Sequence, residues 1–188
     1  MGTRSIIGIA HDGGFTGRYC HWDGYPTCRA AELLATYREL DSDWKAVEAY
    51  AVKPDVPGYW SSYQTPSQAI AEAAKPDKVP CHLCGATGNR TDMVLHKANW
   101  CNGCDGTGSA RNIDKQQGYT TDNGDSWASD QDDWGAEWAY LLDERGITVL
   151  CNTEPWKLYG LVPWDTSEDG QAALLEAIEQ GAIATVWG

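Results

Sequence analysis

Cys81-His82-Leu83-Cys84 and Cys101-Asn102-Gly103-Cys104 are two C-x-x-C pairs, sixteen residues apart. Two such pairs about 15–20 residues apart have the spacing of a four-cysteine zinc site. Each tight turn aims two sulfurs at one ion, and two turns complete a tetrahedron with Zn–S distances near ~2.3 Å. Gly85, Gly88, Gly106 and Gly108 follow the pairs and let the backbone curl around the sulfurs. Four protein thiolates leave no open coordination position, so the expected ion is one structural Zn2+ and not a catalytic one. The other readings of the same residues are buried thiols and a redox C-x-x-C pair. His82 and His96 are bystanders, or outer groups that hydrogen-bond to the ligands.

The knuckle Cys101-Asn102-Gly103-Cys104-Asp105-Gly106-Thr107-Gly108 resembles one repeat, C-x-x-C-x-G-x-G, of the DnaJ-type cysteine-rich zinc domain. Cys81–Gly88 is similar, with Ala86 where that pattern has glycine. The resemblance covers about residues 80–108. It implies one zinc held by two repeats, and carries no co-chaperone activity, because no J-domain is present. A structural zinc contributes roughly 10 kcal/mol or more to a small module. A stretch so poor in apolar residues is expected to fold around its metal.

A second group of chemically capable residues lies near the N-terminus. Arg4, His21 and Asp23 are expected to cluster on a hairpin beside Trp22 and Tyr25. His21 could act in acid–base chemistry. Arg4 could instead grip a small anion, with Trp22 or Tyr25 as a stacking surface. A hydrogen-bond network that fixes a tight turn is the third reading. No base–nucleophile pair is evident, so no catalytic residue is assigned. Cys20, Cys28, His11 and His21 match no common metal spacing. Trp127, Trp134 and Trp138 are either a partner-binding surface or anchors of core and loop.

The segments Gly2-Thr3-Arg4-Ser5 and Tyr19-Cys20-His21-Trp22-Asp23-Gly24-Tyr25-Pro26 resemble the start of a family of small tailed-bacteriophage proteins. Thr27-Cys28-Arg29 stand where that family continues with glycines. The resemblance implies expression in the cytoplasm of a bacterial host, and no particular activity.

Charge narrows the function classes. The formal net charge is −13, from 14 basic and 27 acidic residues. Such a surface repels phosphate backbones, so general nucleic-acid binding is disfavoured. No apolar run reaches the ~18 residues of a membrane span, and no secretory leader is visible. The expected protein is cytoplasmic, and its seven cysteines then read as metal ligands and thiols, not disulfides. Acidity, richness in Trp and Tyr, the expected structural zinc and the lack of a catalytic constellation point first to a protein that acts by binding a macromolecule, most simply a protein, and the resemblance implies a phage accessory protein with a host partner. The alternative is a small-ligand, nucleotide-like binder or enzyme acting through Arg4, His21, Trp22 and Asp23, for example in counter-defence.

The elements that must position these residues follow from periodicity and turn chemistry. Ile6–Ile9, a turn at His11–Gly14 and Phe15–Trp22 read as a hairpin, with Phe15, Gly17, Tyr19 and His21 on one face. A helix is expected from about Cys28 to Leu40, with Ala31, Leu34, Ala35 and Arg38 on its stripe. A second helix, capped by Asp41 or Ser42, runs through Trp44 to Val52. Thr65-Pro66 starts a third that ends at Lys75-Pro76. Residues 112–133 read as an acidic loop. Trp138–Leu142 and Ile147–Cys151 form a second hairpin, Leu158–Val162 adds a strand, and Thr166 or Ser167 caps a last helix. Ala182–Trp187 reads as a short closing strand. The order predicts an α+β fold of antiparallel hairpins packed with helices, interrupted by a small zinc-ribbon-like insert. The core is expected over 1–76 with 110–188, and the four-cysteine module over 77–109.

Overall fold

A computed structural model describes residues 2–81, 107, 109–112, 115–116, 118–121 and 127–182. The chain divides into one unit of residues 1–68 with 117–188 and a second of residues 69–116.

The fold is mixed α+β. In the first unit β1 (Ser5–His11) and β2 (Gly14–Cys20) form the expected hairpin around Asp12-Gly13. Gly13 sits at φ 96, which glycine adopts without strain. Helices α1 (Pro26–Glu39) and α2 (Trp44–Ala51) follow, then a short β3 (Tyr59–Trp60) and the start of α3 (Pro66–Ala74). Later come β6 (Tyr119–Thr120), β7 (Ala128–Ser129), β8 (Trp138–Asp143), β9 (Gly146–Asn152), β10 (Trp156–Pro163) and α4 (Glu168–Glu179). The sheet runs β10-β9-β8-β1-β2-β3-β6, with β7 also paired to β2.

Both expected hairpins are antiparallel, but they are joined through parallel pairing that the expectation from sequence did not include. β1 pairs β8 in parallel, Ile7 opposite Tyr140, and β2 pairs β3 in parallel. The two hairpins are thereby joined edge to edge. Residues 5–8 of β1 are buried on both faces, as befits a central strand with a neighbour on either side.

Register separates two apolar faces. Ile7, Tyr140, Leu142, Ile147, Val149 and Val162 share one face. It is covered by Ala30, Leu33 and Leu34 of α1, Val47 and Ala51 of α2, and Leu175 and Ile178 of α4. Ile6, Phe15, Tyr19, Ala139 and Leu141 form a smaller cluster on the other face. The stripe of α1 is rotated from the expected one. Arg29, Ala30 and Leu33 point inward, and Ala31, Ala35 and Arg38 instead line a groove against α4. Arg38 is held there by the Thr166 carbonyl and Gln171 Oε1.

Arg18 is buried and donates to the carbonyls of Val52, Lys53, Val56 and Gly58. Its guanidinium carbon lies 3.8 Å from the Trp127 ring centroid. It thereby fastens the turn after α2 to the sheet. No helix among the described residues is long and apolar enough to cross a membrane.

In the second unit β4 (Lys78–Pro80) pairs antiparallel with β5 (Ser109–Arg111). Lys115 Nζ bonds the Lys75 carbonyl and Asp77 Oδ1, and Asn112 Nδ2 bonds the Pro76 carbonyl. Cys81 directly follows β4 and is buried. Cys84, Cys101 and Cys104, most of the 77–109 module and the strand expected at 182–187 lie outside the described residues.

Candidate functional site

The β1–β8 junction builds the site. The Arg4 carbonyl accepts from the Glu137 amide at 3.0 Å, which places the residue before β1 against the residue before β8. The Gly24 amide donates to the Thr3 carbonyl at 2.9 Å, and the Tyr140 hydroxyl donates to the Gly24 carbonyl at 2.6 Å. This approach requires glycine, since a Cβ on Gly24 would lie 2.8 Å from the Arg4 carbonyl carbon. The His21 amide donates to the Trp60 carbonyl, which brings Tyr59 of β3 alongside. Trp134, at φ 54, and Gly135, at φ 71, turn the chain just before β8.

These constraints gather Arg4, Tyr19, His21, Tyr59 and Trp134 around a cleft of about 400 Å3. Tyr19 lies at its base, 7% exposed, with its hydroxyl 3.1 Å from His21 Nδ1. Its ring centroid is 5.6 Å from that of Trp134 and 6.2 Å from that of Tyr59. Burial pushes the Tyr19 hydroxyl above the usual tyrosine range, although the Arg4 charge pulls the other way. Tyr19 is therefore a hydrogen-bond donor and not a phenolate nucleophile. The Arg4 guanidinium is exposed and makes no hydrogen bond or ion pair among the described residues. No carboxylate lines the cleft among the described residues.

The structure thus brings Arg4 and His21 together and separates them from the other expected contacts. Trp22 is 46% exposed and meets His21 edge-on at 4.5 Å, outside the cleft lining. Asp23 adopts φ 56 in the turn and does not line the cleft. Tyr25 is the residue before α1, and its carbonyl accepts from the amides of Cys28 and Arg29. Tyr59 was not singled out from the sequence, and Trp134 was grouped there with Trp127 and Trp138 and not with Arg4; both come from segments far from Arg4 along the chain. The three tryptophans form no common surface. Trp127 stacks on Arg18, Trp138 is buried against Tyr159, and only Trp134 reaches the cleft.

Below the turn lies a buried charged pair. Arg29 donates through Nη1 to Glu32 Oε2 at 2.5 Å and through Nη2 to the Trp22 carbonyl at 2.7 Å. Burial pushes the Glu32 carboxyl up to about 6, against the pull of Arg29 and with help from the Asp23 charge. Burial likewise pushes the Cys20 thiol up to about 12, so that thiol is inert at neutral pH. Among the described residues no group of three or more His, Cys, Asp or Glu could hold a metal. His11, Cys20, Cys28 and His21 therefore do not form a second metal site.

Two other hollows compare unfavourably. The groove between α1 and α4 is lined by Arg38, Glu168 and Gln171, which satisfy one another. A hollow of about 560 Å3 beside Phe15 and Trp156 carries Asp130, Asp133 and Glu154. Its Asp133 carboxylate is already engaged by the Gly135 amide and Asn152 Nδ2. Neither presents an unengaged cation among rings. Comparison of the chain with protein-family models, curated proteins and solved structures returns no match in any of the three.

Proposed function

We propose that the protein binds a small, planar, anionic ligand, nucleotide-like in chemistry, in the cleft of Arg4, Tyr19, His21, Tyr59 and Trp134. One observation carries this reading: an unengaged guanidinium lines a cleft whose described residues are otherwise rings, with no carboxylate among them, in a chain of net charge −13. An isolated cation in an acidic protein marks where a negative group is wanted. The rings offer stacking faces, and Tyr19, Tyr59 and His21 offer hydrogen-bond donors or acceptors. The volume lies at the lower end of the ~300–1,000 Å3 range of small-ligand sites. Among the described residues no base–nucleophile pair is assigned in the cleft, and its rings and guanidinium support a binding role.

The test is a titration of adenosine 5′-monophosphate followed by tryptophan fluorescence. Saturable quenching is expected for the wild type, and at least tenfold weaker binding for Arg4→Ala and for Trp134→Ala. Equal binding by all three proteins would refute the assignment of the ligand to this cleft.

We propose in addition that Cys81, Cys84, Cys101 and Cys104 hold one structural zinc. Their spacing supports this. So does the buried position of Cys81 at the end of β4, whose ladder sets Pro80 opposite Ser109 and so joins the two ends of the cysteine segment. The ion would fasten that segment and supply no chemistry to the cleft.

A further inference from the structure

The charge count of the cleft constrains the ligand more closely than its shape does. Arg4 is the one Lys or Arg lining it among the described residues, beside the imidazole of His21. A guanidinium matches two oxygens of a single phosphate or carboxylate, and leaves nothing for a second anionic group. Sites for polyphosphates add further cations, or a row of unengaged backbone amides that cradles the oxygens. Here five of the nearby amides are already bonded within the protein. The Gly135 amide donates to Asp133 Oδ1 at 2.7 Å, Ala136 to the Asp133 carbonyl at 2.9 Å, and Glu137 to the Arg4 carbonyl at 3.0 Å. On the opposite side the His21 amide is bonded to Trp60, and that of Gly24 to Thr3.

Resting on the binding reading above, we infer that the cleft selects planar ring ligands carrying a single negative charge and rejects nucleoside di- and triphosphates. Each further charge would meet the field of a chain at −13 without a local partner. The cyclic phosphodiester of a nucleoside, monoanionic at neutral pH, represents the favoured class. An aromatic carboxylate offers the same chemistry from another source.

The experiment is a charge series on one base, titrated into the full chain by calorimetry at fixed ionic strength. The probes are adenosine, adenosine 3′,5′-cyclic monophosphate, AMP, ADP and ATP, with nicotinate as the carboxylate arm. Affinity is expected to peak at single charge. The cyclic monophosphate should bind at least tenfold tighter than adenosine and at least tenfold tighter than ATP. Nicotinate binding tighter than the cyclic nucleotide would identify the source as a carboxylate within the same class. Arg4→Gln, checked for folding by its melting curve, should abolish the difference between adenosine and the cyclic monophosphate. Affinity rising steadily from adenosine to ATP would overturn the single-charge inference and leave the binding reading standing. No saturable binding by any probe would instead overturn the binding reading itself.

Discussion

Glu32 is the residue whose replacement measures most directly how this fold handles charge. Its carboxylate accepts from the fully buried Arg29, and its own side chain is 27% exposed. Two effects oppose each other. Burial disfavours the carboxylate form, and the Arg29 charge favours it. Burial wins, and the carboxyl rises from an ordinary 4.5 to about 6. The folded state therefore binds a proton more tightly than the unfolded chain. The stability Glu32 contributes is complete below about pH 4.5 and is lost as pH rises through about 6. A displacement of that size corresponds to about 2 kcal/mol in all.

Glu32→Gln keeps an oxygen facing Arg29 Nη1 and removes the titration. It leaves Arg29 without a counter-charge, but that cost is the same at every pH and drops out of the slope. The assay is urea denaturation of both proteins at pH 5 and pH 8, above the pI of about 4.5. The stability of wild type minus that of Glu32→Gln should fall by roughly 1 kcal/mol between those two values, the rest of the loss lying below pH 5. A difference that stays flat, or grows with pH, would refute the reasoning. It would mean that the attraction of Arg29 outweighs desolvation and that the pair behaves as a stabilising ion pair.

Two other outcomes are open to direct measurement. Elemental analysis of purified protein should find zinc at one ion per chain and Cys81→Ser close to none; a wild type free of zinc, or a variant that keeps it, would remove the metal proposal. If instead the protein acts by docking a protein of the bacterial host that its N-terminal resemblance implies, the contact should involve the exposed Trp22 and Tyr25. Affinity capture that is unchanged by the double substitution Trp22→Ala, Tyr25→Ala would count against that surface.

Which parts of the fold the sequence disclosed follows from what a local pattern encodes. The β1–β2 hairpin was legible because Asp12-Gly13 supplies the turn and Ile6, Ile7 and Ile9 supply the strand. The last helix was legible from Ser167, whose side chain accepts from the Gly170 amide. The start of α1 was placed two residues late, because Tyr25 gives no side-chain cap and the only signal is Pro26 at the first position. Asp41 and Ser42 resemble caps, yet both adopt left-handed φ, 55 and 59, and Asp43 performs the capping instead. Two-residue strands such as β3, β6 and β7 fall below any periodicity, and β6 and β7 emerged inside the stretch read as loop. Parallel pairing of β1 with β8 was illegible in principle. Alternation reports which residues are buried and carries no information on strand direction.

The same limit explains the cleft. Tyr19 and His21 were expected on one face of the hairpin, and Arg4 was marked by its charge. What completes the site is long-range: the parallel junction delivers Trp134 and Gly135 from the segment before β8, and the β2–β3 pairing delivers Tyr59. Trp22, Asp23 and Tyr25, close in sequence to His21, are instead consumed by the turn into α1. There Asp23 takes a left-handed backbone, Trp22 offers its carbonyl to Arg29 and Tyr25 precedes the first helical residue. Sequence proximity therefore overstated their share in the site, and topology supplied the replacements. At this meeting of three strand ends the amides of His21, Gly24, Gly135, Ala136 and Glu137 are bonded within the protein. Recognition in the cleft must then come from side chains: one guanidinium for one negative charge, and rings for a flat partner.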